Sequence, residues 1–104
     1  MRSKPKAIMK PSTALNHNRE AIRETVTRFR TANPRIFGSA LHGKDKEGSD
    51  LDLLVDTLPG ATLLDLTGLQ LELEDLLGVK VDVLTAAGLS PKFRSRVLAE
   101  ARPL

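Results

Sequence analysis

The chain has no cysteine, tryptophan or tyrosine, and its 104 residues hold only three aromatic side chains, Phe29, Phe37 and Phe93. Without cysteine there can be no disulfide and no thiolate metal site, a composition that suits a reducing cytosol. With so few rings, no platform for stacking nucleic-acid bases is available, and direct nucleic-acid binding is not expected. No apolar run approaches the length needed to span a bilayer. Arg2, Lys4, Lys6 and Lys10 stand near the start with no apolar stretch behind them, so a signal peptide is not expected either. A cytoplasmic protein without a membrane partner is the expectation.

What is present describes one small domain. Hydrophobic residues make up 40% and charged residues 28% of the chain, a globular balance. A chain of this length buries roughly two-thirds of its unfolded surface, enough for one modest core. Leucine, valine, isoleucine and alanine must build it. The net charge is +3, with several positive charges in the first ten residues and in the last predicted helix. A solvated tail and a solvated helix face account for that charge without invoking a partner.

Residues 1–12 are basic and contain Pro5 and Pro11, which reads as a flexible leader, with the domain occupying 13–104. From Thr13 to Arg30, Leu15, Ile22, Val26 and Phe29 recur at helical spacing, which predicts one amphipathic helix ended by Asn33-Pro34. Arg35-Ile36-Phe37 is a short strand running into Gly38-Ser39. Leu51 to Val55 is a second strand. Thr62 and Asp65 form a capping box, and Leu63, Leu66, Leu69, Leu73, Leu76 and Leu77 carry a helix to Gly78. Val79 to Leu84 alternates as a strand with Lys80 and Asp82 on its polar side, and Ser90-Pro91 opens the last helix. The order helix, strand, strand, helix, strand, helix predicts an α/β (α+β) fold, a small mixed sheet with helices mainly on one face.

The chemistry gathers around two of these strands. Asp50 and Asp52 are two residues apart, so a strand would point both carboxylates to one face, roughly 7 Å apart at their Cα atoms. Like charges so placed make a poor core and a good seat for Mg²⁺, which takes few carboxylates and completes its shell with water and phosphate oxygens. Asp82 would join them if its strand were a neighbour. Gly38-Ser39 offers backbone amides and a hydroxyl to a phosphate. An EF-hand alternative across Asp45, Glu47 and Ser49 fails, because Asp50 stands where the loop needs glycine and Asp56 where it needs glutamate.

The stretch Gly38-Ser39-Ala40-Leu41-His42-Gly43, followed by Ser49-Asp50-Leu51-Asp52-Leu53-Leu54-Val55, resembles the signature of the polymerase-beta-like nucleotidyltransferases. The minimal nucleotidyltransferases of bacteria and archaea are the closer likeness, over about residues 13–104. The resemblance implies that Gly38, Ser39 and Ser49 bind the triphosphate of ATP. It further implies that Asp50, Asp52 and Asp82 bind Mg²⁺ and form the catalytic set. It implies an antitoxin of a type VII-like toxin–antitoxin pair, which transfers AMP from ATP to a tyrosine of a HEPN-domain RNase toxin. His42 departs from the pattern, since the family usually has arginine there. No added domain of the kind with which larger relatives hold nucleic acids or drugs is expected, which favours a protein acceptor. The rival readings are a module that neutralises its partner by occlusion alone, and a small-molecule nucleotidyltransferase.

Overall fold

A computed structural model describes residues 9–104; most of the expected leader therefore lies outside the described residues. Helix α1 spans Pro11–Asn16 and α2 spans Arg19–Thr27. Strand β1, Thr31–Phe37, and strand β2, Leu51–Thr57, follow, then helix α3, Leu63–Leu77, and strand β3, Val81–Leu84. A single 3₁₀ turn at Ala86–Gly88 leads to helix α4, Pro91–Glu100, and a two-residue strand β4, Arg102–Pro103. The sheet order is β3-β2-β1-β4, with β2 and β3 parallel and the other two pairs antiparallel.

Strand alternation divides the core between the two faces of this sheet. Leu51, Leu53, Val55, Ile36 and Val81 join Leu15, Ile22, Val26, Leu69 and Leu73 in the larger cluster, so α1, α2 and α3 cover one face. Phe37, Leu54 and Leu89 form a smaller cluster with Leu84, Val97 and Ala101, which places α4 against the opposite face. The expected fold class holds, with α4 as its exception.

The expected single helix over 13–30 is two helices. Asn18 breaks it: its Nδ2 donates to the Ala14 carbonyl at 2.8 Å, and its own amide reaches only back to Leu15. An asparagine that bonds the preceding turn through its side chain competes with the helical ladder. The start also moves. Pro11 opens α1 at its first turn, where a missing N–H costs nothing, and Ser12 is helical rather than part of a loose segment. Asn33-Pro34 does not stop a helix but lies inside β1. There Asn33 takes a left-handed φ of 54° and the register with β2 shifts between Ala32 and Arg35. Such a bulge is where a strand tolerates proline.

Asp45 is a structural residue that the sequence did not expose. It is 4% exposed and accepts both the Ser12 amide at 2.8 Å and the Ser12 hydroxyl at 3.1 Å. Loss of solvation pushes its carboxyl up, but the Ser12 bonds and the Lys10 charge outweigh this and hold it below the ordinary value. Asp45→Ala should lower unfolding free energy by about 1–3 kcal/mol, read by urea denaturation at pH 7. Because the carboxyl is held low, that difference should shrink as pH falls below about 4 and the group protonates.

Helix α3 ends as its sequence predicts, capped by the Thr62–Asp65 box at one end and by Gly78 in the left-handed region at the other. It also serves β3 from the side. Glu74 Oε2 accepts the Val81 amide at 3.0 Å and Gln70 Oε1 accepts the Val83 amide at 3.4 Å. Strand β3 begins at Val81, not Val79.

Candidate active site

The parallel register of β2 and β3 sets Asp52 directly beside Asp82. The antiparallel register of β1 sets Phe37 beside Asp52 on the other side, so β1 delivers Gly38 to the same place. All of these belong to the face that α4 covers only in part. Asp50 is exposed and immediately precedes β2. The sheet therefore lines up Asp82, Asp52 and Gly38 across three neighbouring strands at one end of one face.

Gly38 has a φ of +77°, and a Cβ built on it would collide with the Asp52 carboxylate. Two demands thus require glycine here: left-handed backbone and close approach to an acid. Beyond it the chain winds into a single turn, with the Leu41 and His42 amides donating to the Gly38 carbonyl and Lys44 to Ser39. The Ser39 and Ala40 amides precede the first bond of that turn and stand at its open end.

Burial and its acidic neighbours both act on Asp52. Loss of solvation, then the charges of Asp82 and Asp50, push the Asp52 carboxyl up to about 6. A divalent cation would reverse both influences. The donors are all oxygen, which fits a hard ion such as Mg²⁺ rather than a thiophilic one. Among the described residues no three His, Cys, Asp or Glu side chains form a ready-made cage. Such a site suits an ion that keeps several positions for water and substrate phosphates.

Ser49, expected at the triphosphate, closes its own loop in this structure. Its hydroxyl accepts the Lys46 amide at 2.9 Å and so closes the turn that delivers Asp50. Asp56 lies further along β2 but is engaged by Arg35 at 2.6 Å and Asn33 at 3.1 Å, outside the site.

A cleft of about 540 Å³ opens from Gly38 toward α4. Phe37, Leu89, Phe93 and Val97 give it an apolar floor, and His42, Arg96 and Glu100 bring polar groups to its rim. His42 Nε2 lies 3.0 Å from Glu100 Oε1, joining the turn after β1 to α4. Sequence spacing placed Phe93 and Val97 on the apolar side of this helix but gave none of its residues a role in the site. Their spacing, 93, 96, 97 and 100, is one helical face that mixes apolar and charged side chains, the signature of a helix lining a partly wet cleft.

Residues 19–104 match the family described as nucleotidyltransferase domain. The chain belongs to that family, and its site is of the polymerase-beta-like kind. The protein adenylyltransferase MntA of Thermococcus cleftensis is 36% identical over 86 residues, 83% of this chain and 84% of that protein. A Methanocaldococcus jannaschii protein, provisionally named a protein adenylyltransferase, is 48% identical over 66 residues, 64% of this chain and 71% of that one. A solved structure provisionally described as a minimal nucleotidyltransferase matches with a TM-score of 0.80 and 46% identity, covering 89% of this chain and 95% of its own. The fold is shared with a toxin–antitoxin crystal structure containing AMP-PNP, at a TM-score of 0.62 and 17% identity over 78% of this chain and 70% of that one. No helix of the described residues is long and apolar enough to cross a membrane.

Proposed function

We propose that this nucleotidyltransferase is a Mg²⁺-dependent protein adenylyltransferase and the antitoxin of a toxin–antitoxin pair. Its reaction is transfer of AMP from ATP to a tyrosine of a HEPN-domain RNase toxin. The observation that carries the reading is the in-register pair Asp52 and Asp82, next to a glycine with no room for a side chain. The protein adenylyltransferase name of the Thermococcus relative and the toxin–antitoxin neighbour with its ATP analogue support a protein acceptor and ATP as the donor.

Each residue has a defined task. The amides after Gly38 and the Ser39 hydroxyl hold the phosphates, and Ser49 keeps the Asp50 turn in shape beside them. Asp50 and Asp52 would hold Mg²⁺, with Asp82 completing the set; the ion supplies neutralisation of charge on the phosphoryl oxygens. Asp82, on the outer strand, accepts the proton of the incoming tyrosine hydroxyl. The hydroxyl oxygen then bonds to the α-phosphorus, the bond from that phosphorus to the bridging oxygen breaks, and pyrophosphate departs with the electron pair.

The test is incubation with the purified HEPN-domain partner, Mg²⁺ and ATP labelled at the α-phosphate. Label should appear on a tyrosine of the partner and its RNase activity should fall, with both effects absent for Asp50→Ala. Neutralisation that survives Asp50→Ala without label transfer would instead identify an antitoxin acting by occlusion.

A further inference from the structure

Two arginines of α4 face different surroundings. Arg94 is fixed by three backbone carbonyls: its Nε donates to Ala86 at 2.8 Å, and its Nη2 to Leu89 at 2.9 Å and Ala87 at 3.5 Å. It pins the 3₁₀ turn to the helix. Arg96 has no such bond. Its guanidinium lies over the Phe93 ring, 5.6 Å from the centroid, at the rim of the cleft that starts at Gly38. A cation resting on an aromatic face keeps its N–H donors available.

The direction of the cleft matters. Phosphoryl transfer places the attacking and leaving oxygens roughly in line through phosphorus. Across the sheet the order is Asp82 on β3, Asp52 on β2, then Gly38 at the end of β1. If Asp82 receives the acceptor's proton, the acceptor enters from the β3 side and the leaving group departs past Gly38. That exit leads into the cleft. Of the groups lining it, Glu100 is the one acid, and its Oε1 is turned onto His42 at 3.0 Å. Arg96 is then the cation left to meet a departing anion.

We infer that Arg96 binds the β- and γ-phosphates of the nucleotide in this cleft and stabilises pyrophosphate as it leaves. The inference rests on the nucleotidyl-transfer reading above and adds a residue and a direction to it. A guanidinium suits the task because its fork meets two phosphate oxygens at once. The β,γ-bridged part of the ligand is held there, while the α-phosphate stays over the acids.

Isothermal titration of the full chain with Mg²⁺ and, separately, pyrophosphate, AMP and a non-hydrolysable ATP analogue tests it. Arg96→Gln should weaken pyrophosphate and the ATP analogue at least about tenfold and leave AMP affinity within about twofold, with Arg96→Lys between the two. Arg96 is exposed, so the fold should persist, which a thermal melt verifies. Unchanged pyrophosphate affinity in Arg96→Gln overturns the inference. An equal loss for AMP also overturns it, since the cleft would then hold the nucleoside. If the unaltered chain binds none of the three ligands, the nucleotidyl-transfer reading itself fails.

Discussion

Asp52→Asn is expected to abolish label transfer, by about 10³-fold or more, and at the same time to stabilise the metal-free protein at pH 7–8. The first effect follows from losing the central carboxylate of the site, on which several kcal/mol of charge stabilisation depends. The second follows from the raised pKa. Below about pH 4 the group is protonated whether the chain is folded or not, and its environment costs nothing. Between about 4 and 6 the unfolded chain is ionised while the folded one still holds its proton. Folding therefore becomes less favourable as pH rises through that window, and above 6 the full cost remains. Because Asp52 keeps some contact with solvent, that cost is about 1–2 kcal/mol. Melting temperatures at pH 4.5 and 8.0 should show the variant gaining on the parent at the higher pH. A variant no more stable than the parent at pH 8.0 would mean that burial and the neighbouring acids do not raise the Asp52 carboxyl as described.

Gly38→Ala should be nearly as damaging to transfer, about 10²-fold, for a steric reason. Its Cβ would displace the Asp52 carboxylate, and a displacement on the ångström scale at a reacting centre has effects of that size. Gly43→Ala is the control. Gly43 has a similar φ of +69°, but a methyl group added there would meet nothing within 4 Å, so it loses only the left-handed backbone preference. Both variants should lose about 1–2 kcal/mol of stability from backbone strain, measured by denaturant unfolding. Only Gly38→Ala should lose activity beyond what its stability explains. Equal activity in the two variants would separate Gly38 from the site.

The parts of the fold that were legible in the sequence are those with a strong local cause. The Thr62–Asp65 box and Gly78 bracket α3 within a residue, because caps act through neighbouring backbone groups. The leucine-rich run from Leu51 to Val55 marked β2, a short apolar stretch that the sheet buries on both faces. The neighbourhood of Asp52 and Asp82 was anticipated only conditionally, as pairing between distant strands has no local signal. What was missed is non-local. Asn18 lies within the expected helix, and the break there shows only in its side-chain bond to Ala14. Strand β4 is two residues long, one of them a proline, and exists only because β1 offers an edge. The mixed face of α4 can be read from its spacing, but the surface it packs on, Leu54 and Phe37, which places the cleft beside Gly38, cannot.

The two borders of the sheet carry one more consequence. On β3, the amides of Val81 and Val83 are occupied by Glu74 and Gln70. On β4, Pro103 has no amide to offer. Among the described residues, these positions of β3 and β4 offer no free amide on which another chain could extend the ladder. On the function proposed above, a protein acceptor entering from the β3 side meets this molecule through side chains rather than by adding a strand to the sheet. Recognition by shape and charge, not by shared backbone hydrogen bonds, is what these two strands favour.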